Sequence, residues 1–428
     1  MKKSFSIILL MLFPILVMAQ ASGGQIIRPA RKQQNTQQTG NKTINSSPKQ
    51  KVVREITYES TLSAEERRIW EEEKAKAKEK MKKLAYNIKV LGLERGSNFY
   101  NGVACWEKKN KTFCFINKNG EILFELSPSI TDVKSFHDEY AVIVQKFKDN
   151  SRRYGIIDKS GRTVVNAEYD WISDYSEGLF QVKKGGKYGF IDKNGDVIIP
   201  FVYESAGNFH EGLATVKKDG KWGYVNKSNN TIIPFEYDGT RDFSEGLAPV
   251  EKKEKWGYIN KSNTLIIPYS YWYAFPFQSG LSQVILENTA RDEVRTGIRV
   301  RSGYINNQGK YVIPLQRGNL GFFSDDLIEI NGSYFDNHGK LIIQTKYDHC
   351  GDFSEGLAFV GKKKSKPGGS PNPYTCGFIN KKGQIVIDFK YDGADGYSPE
   401  FSEGLVNIWY EGRNGYIDKY GNSTFDFE

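Results

Sequence analysis

A chain of 428 residues is longer than the roughly 250–300 residues that one hydrophobic core organises, so it either divides into domains or grows lengthwise by repetition. Its hydrophobic share is 39%, but aromatic residues reach 14% and glycine fills 42 positions, a mixture that suits short strands joined by tight turns. The net charge of +9 lies outside the bulk of the chain: residues 1–20 carry +2, 21–60 carry +5 and 61–87 carry +2, which leaves 88–428 neutral and argues against nucleic acid as its partner.

Lys2 and Lys3, the apolar run 7–17 and the ending Val17-Met18-Ala19 have the charge, length and close of a secretory signal peptide, assigned to 1–19. The run is shorter than the ~20 apolar residues of a spanning helix, and no cysteine follows it to take a lipid anchor. The mature chain is therefore expected to be exported, to the periplasm, the outer surface or the medium, with no transmembrane segment. Residues 20–60, rich in Gln, Asn, Ser, Thr and Lys, read as a disordered basic linker. Over 61–87, Ser63-Ala64-Glu65-Glu66 has the form of a capping box and opens a charged helix, striped by Trp70, Ala77, Met81 and Leu84. That stripe is read as the cap of the array that follows, with a coiled-coil or partner-binding helix as its other use.

From about Phe99 the chain repeats itself. Phe209-His210-Glu211-Gly212-Leu213, Phe243-Ser244-Glu245-Gly246-Leu247 and Phe277-Gln278-Ser279-Gly280-Leu281 stand 34 residues apart, and copies near Phe99, Phe136, Tyr175, Phe323, Phe353 and Phe401 bring the count to nine. In the copy at Phe209, runs 213–218 and 221–226 flank Asp219-Gly220, a pair suited to a type I′ hairpin turn. A third run, 231–235, contains Pro234, which suits a strand edge. Each unit then supplies three short strands, too few to stand alone. Gly189, Gly223, Gly257, Gly303 and Gly377 recur in the second of them, where a neighbouring unit or ring is expected to come close. The glutamate of F-x-E-G is expected to accept backbone hydrogen bonds in its own turn.

Lys221-Trp222-Gly223-Tyr224-Val225-Asn226-Lys227 and Lys255-Trp256-Gly257-Tyr258-Ile259-Asn260-Lys261, preceded by E-G-L-A and followed by I-I-P and Y-D, resemble the WG-repeat (KWG-repeat) family. The resemblance covers roughly 99–421, although Phe113, Tyr188 and Cys376 replace the tryptophan and Ser333-Tyr334 replaces W-G-Y. It implies bacterial secreted or surface proteins with no reaction attached to the repeat. The expected fold is all-β over 88–428, a tandem array of about nine three-stranded hairpin units with one N-terminal helix. An open superhelix is favoured, because propeller blades usually have four strands; a propeller-like ring is the alternative.

Chemistry-bearing residues are sparse. His137, His210, His338 and His349 fall in turns without a second ligand at metal spacing, and Glu177, Glu211, Glu245, Glu355 and Glu403 recur because the turn recurs. Neither a catalytic group, a metal nor a cofactor is expected. Cys105 with Cys114, and Cys350 with Cys376, are candidate disulfides of an exported protein. Alignment sets Cys105 opposite Phe115, one residue out of register with Cys114, so that bridge needs a bulge, and buried free thiols are the alternative. Trp222 and Trp256 are candidates for stacking on a glycan, against the plainer role of core residues. Two insertions, 287–302 with Arg291, Arg295, Arg299 and Arg301, and 361–374 with Lys362, Lys363, Lys364 and Lys366, occupy one turn position in their units. They are candidate binding loops for an acidic partner. The reading is a non-catalytic exported scaffold for a protein partner at the cell envelope, with a glycan-binding module as the alternative.

Overall fold

The computed structural model describes residues 57–427 apart from 135, 137, 288–299, 318–319, 365–373 and 393–398; the signal pattern and most of the linker lie outside these residues. The unit 205–237 shows how one repeat folds. Its strands, Ser205–His210, Leu213–Lys218, Lys221–Asn226 and Thr231–Tyr237, pair antiparallel in sequence order. Asp219 and Gly220 take φ of 50° and 77°, the left-handed pair of a type I′ turn. Glu211 and Gly212, at 53° and 83°, make the same turn one hairpin earlier. The phrase F-x-E-G-L is thus itself a hairpin, and its phenylalanine belongs to a fourth strand that the three-strand expectation omitted. Ser205-Ala206-Gly207-Asn208 carries no apolar alternation, so nothing in its composition announces a strand.

Among the described residues, seven sheets have four strands, 327–344 forms a three-stranded sheet and 405–418 a two-stranded one. One hydrophobic cluster fills each junction between consecutive sheets. Tyr224, Ile233, Phe243 and Ile259 join the fourth sheet to the fifth, and Tyr334, Ile343, Phe353 and Ile379 join the seventh to the eighth. A further cluster, Leu93, Phe99, Trp106 and Ile116 with Leu405 and Tyr416, joins the last sheet to the first. The array is therefore closed, a ring of the β-propeller kind: eight blades of three or four strands, with the two-stranded sheet set between the eighth and the first. This corrects the open superhelix. The extra strand removes the objection to a propeller, and closure buries both ends that an open solenoid would expose.

The helix Ala64–Val90 carries the expected capping box, Ser63 Oγ accepting from Glu66 N at 3.3 Å and Ser63 N donating to Glu66 Oε2 at 2.8 Å. It lies over the seam instead of covering an open end. Met81 and Leu84 enter the cluster shared by the first and last sheets. Asn422 Nδ2 donates to Lys74 O at 3.1 Å from the C-terminal side, and Asn87 Nδ2 donates to Asn119 O at 2.8 Å on the first sheet.

The repeated glycine of W-G-Y answers to its own sheet. A Cβ on Gly223 would stand 2.6 Å from Ile233 O and 2.9 Å from Pro234 O, on the fourth strand where the ladder bulges, not against a neighbouring unit.

Candidate functional site

The edge carrying the Glu-Gly turns comes first, because it gathers the repeated carboxylates. Glu177 accepts from the amides of Glu211 (2.7 Å) and Gly212 (3.0 Å) in the next sheet. Glu211 accepts from Gly246 N at 3.2 Å, Glu245 from Gly280 N at 2.9 Å, and Glu355 from Glu403 N and Gly404 N at 2.7 Å each. Glu403 then accepts from Gly102 N at 2.9 Å, across the seam to the first sheet. Lysines strengthen the relay: Lys261 lies 3.1 Å from Glu211 and Lys118 3.0 Å from Glu403. Each carboxylate thus serves the following turn instead of its own.

The other letters of the phrase act between sheets as well. Ser176, Ser244, Ser354 and Ser402 donate to the carbonyls of Phe209, Phe277, Phe401 and Phe99, each in the next sheet. Phe243 meets Tyr224 edge-on at 4.9 Å, Phe277 meets Tyr258 at 5.1 Å, and Phe99 meets Tyr416 at 5.1 Å across the seam. Tyr224 OH donates to Arg241 O at 2.7 Å, and at the seam Tyr416 OH donates to Ser97 O at 2.5 Å while accepting from Trp106 Nε1 at 3.0 Å.

The candidate glycan platform is drawn into the same packing. Trp256 is 6% exposed, its ring 5.2 Å from Tyr273 in the next sheet, and Trp222 is half-buried against the junction that follows it. Trp256 thus presents no open ring face.

The candidate basic loops spring from the opposite edge, the turn between second and third strands. Arg291, Arg295, Arg299 and Lys366 lie outside the described residues. Arg301 is exposed on the third strand of the sixth sheet, opposite Leu286. Lys362 lies 3.9 Å over the Phe389 ring, Lys363 N donates to Asp348 at 2.8 Å, and Lys364 pairs with Asp392 at 2.7 Å. These three lysines anchor the root of the second insertion.

All four cysteines are free. Cys105 pairs with Phe115 and Trp106 with Cys114, the one-residue offset expected from alignment, and no bulge corrects it. Cys350 and Cys376 sit on the first and third strands of one sheet, with a whole strand between them. Two strand spacings of about 4.8 Å exceed the reach of a disulfide. Burial raises the thiol of Cys114 to about 11 and that of Cys376 to about 12, so both stay protonated and inert at neutral pH.

The first strands hold what sequence reading missed. Those at 171–176 and 205–210 touch each other, while the fourth strands expose large apolar residues such as Ile198 and Ile232, so the first strands face the axis of the ring. On these strands or just after them, before the repeat phenylalanine or tyrosine, stand Asp174, Asn208 and Asp352, with Asn98, Asp242 and Glu400 at the same place in their units, an Asp/Asn/Glu position that could have been noticed in the sequence. Asp174 pairs with Lys134 at 3.5 Å and Asp242 with His210 at 3.5 Å. Burial, together with the carboxylates of Glu400 and Glu329, pushes Asp352 up to about 7. Burial also raises Asp242, against the pull of His210 and Arg241. Among the described residues, no group of three or more His, Cys, Asp or Glu side chains is placed to hold a metal ion.

Solved structures with a similar course include BamB from Moraxella catarrhalis, at 9% identity and a TM-score of 0.37 over 75% of this chain and 95% of that one. Hsv2p from Kluyveromyces lactis matches at 9% identity and 0.35, over 67% and 97%. At these scores the likeness carries no functional argument. No curated protein matches the chain. The WG containing repeat model matches residues 154–188, 188–222, 222–256, 256–289, 303–331, 333–364 and 377–406, together more than half of the sequence. With its phrase accounted for residue by residue in the ring, the chain belongs to the WG-containing repeat family.

Proposed function

We propose that this protein is a non-catalytic, exported scaffold that offers the insertion-bearing edge of its ring to an acidic protein partner at the cell envelope. One observation carries the reading: the repeated carboxylates, serines, tyrosines and phenylalanines are engaged in holding one sheet to the next, so recognition falls to positions where the repeat is broken. The insertions 287–302 and 361–374 break it at the same turn of two sheets, and Arg291, Arg295, Arg299 and Arg301 with Lys362, Lys363, Lys364 and Lys366 give them a basic character. Export rests on the signal pattern at 1–19. The buried Trp256 speaks against the glycan-binding alternative.

Crosslinking in the native envelope followed by mass spectrometry tests this. A partner crosslinked to the wild-type chain should be lost when 288–299 is replaced by a two-residue Asn-Gly turn, with the melting temperature unchanged. Retention on a polysaccharide that free sugar abolishes, and that the same replacement leaves intact, would overturn the proposal in favour of glycan binding.

A further inference from the structure

The fourth strands form the outer edges of the sheets, and an open edge invites another strand. In the third to sixth sheets that edge is guarded by Pro200, Pro234, Pro268 and Pro314, which offer no amide hydrogen. The eighth sheet has Asp388 in that place, and the chain's own N-terminal segment docks on the same strand, three residues earlier. Thr57 bridges Ile385 in parallel, and Tyr58 N donates to Ile385 O at 2.7 Å. Ile385 is 5% exposed and also packs into the cluster between the seventh and eighth sheets.

The seventh sheet has the same opening, and among the described residues no strand pairs with it. Gln344 stands where its sisters have proline, and Leu341, the counterpart of Ile385, is 45% exposed beside Ile342 at 42%. The first and second sheets also lack the proline: the first has Glu125 there beside exposed Leu123, an acidic edge, and the second has Asn166, on a strand that begins Thr163-Val164 and exposes no large apolar residue. The bond from Thr345 N to Gly332 O at 3.2 Å brackets the Ser333–Gln344 pair, so Gln344 turns its own N–H outward to the free edge. Phe335, paired opposite Leu341, lines a cleft of about 280 Å³ against the sixth sheet, with Ile313, Pro314 and Ile330. Exposed Lys340 at the head of this strand, with Lys310 and Arg317 flanking the adjacent fourth strand, makes the surroundings basic.

We infer that the edge Leu341–Gln344 is a strand-addition site for an extended, acidic segment of a partner protein with alternating apolar residues, laid parallel as Thr57 is laid on Ile385. It is separate from the insertion-bearing edge, so either can fail alone.

The test uses the full chain and a capped octapeptide of alternating valine and glutamate, read by hydrogen exchange and by peptide fluorescence anisotropy. The peptide should bind and slow exchange at 341–345, leaving the proline-guarded strands unchanged, and an alternating valine–lysine peptide should bind at least tenfold more weakly. Gln344→Pro copies the sister sheets, so it should melt with the wild type and lose binding at least tenfold; Lys340→Glu should weaken binding severalfold without touching the ladder. Equal binding to wild type and both variants, protection elsewhere, or no binding at millimolar peptide would overturn the inference.

Discussion

Ring closure makes the hydroxyl of Tyr416 the most informative single group in the protein. Tyr416 is fully buried in the last sheet, and its hydroxyl accepts from Trp106 Nε1 at 3.0 Å and donates to Ser97 O at 2.5 Å, both in the first sheet. Tyr416→Phe keeps the ring and its contact with Phe99 but leaves the buried Trp106 donor unsatisfied, at about 1–3 kcal/mol, and the partly buried Ser97 acceptor, at about 1 kcal/mol, about 2–4 kcal/mol together. Unfolding entropy of about 2.1 cal/mol/K per residue over roughly 370 residues gives about 0.8 kcal/mol per degree, hence a fall in melting temperature of about 3–5 °C. Calorimetry on the full chain measures it, with Tyr86→Phe, on a ring 65% exposed, as a control that should not shift. Combining Tyr416→Phe with Trp106→Phe should show coupling of about 1 kcal/mol, since the two share one hydrogen bond. If the array were open, Tyr416 would sit in a terminal unit with no successor. A Tyr416→Phe shift no larger than that of the control, with no coupling to Trp106, would refute the closed ring.

Gly223→Ala should lower stability by about 1–3 kcal/mol in denaturant unfolding, because its Cβ would meet backbone oxygens at 2.6 and 2.9 Å that cannot swing aside. Ser63→Ala should cost the helix about 1 kcal/mol, read as faster amide exchange in its first turn while the strands stay protected. The carboxyl of Asp352 predicts a pH dependence: the native state keeps its proton up to about 7 and the unfolded chain releases it near 4, so the native state binds more protons in between and stability falls as pH rises through that window. Full linkage over three pH units would be about 4 kcal/mol, and partial solvent access to the side chain reduces this to about 2 kcal/mol. Asp352→Asn should flatten the fall between pH 4 and 7, and an unchanged slope in the variant would exclude this origin.

The sequence by itself determined three strands of the unit and the turn between two of them. Asp219-Gly220 specified its turn, because few residue pairs tolerate two positive φ values, and the run Lys221–Asn226 specified its strand by alternation. Ser63 and Glu66 likewise fixed the start of the helix, since both capping partners lie within four residues. The plain reading of Trp256 as packing was also legible, because a ring repeated at one strand position has a repeated neighbour to meet. Tertiary structure alone decided the fourth strand, closure and the fate of the glutamates. Ser205–Asn208 has no pattern of its own and becomes a strand only because an open edge and a neighbouring sheet await it. Glu211 and Gly246 stand 35 residues apart, and no local rule says that a carboxylate will serve the next turn. Closure depends on small rotations between successive sheets summing to a full turn, so that Tyr416 meets Trp106 across 310 residues of chain. The same holds for the cysteines, where the one-residue offset of Cys105 from Cys114 was visible in alignment but the strand dividing Cys350 from Cys376 was not.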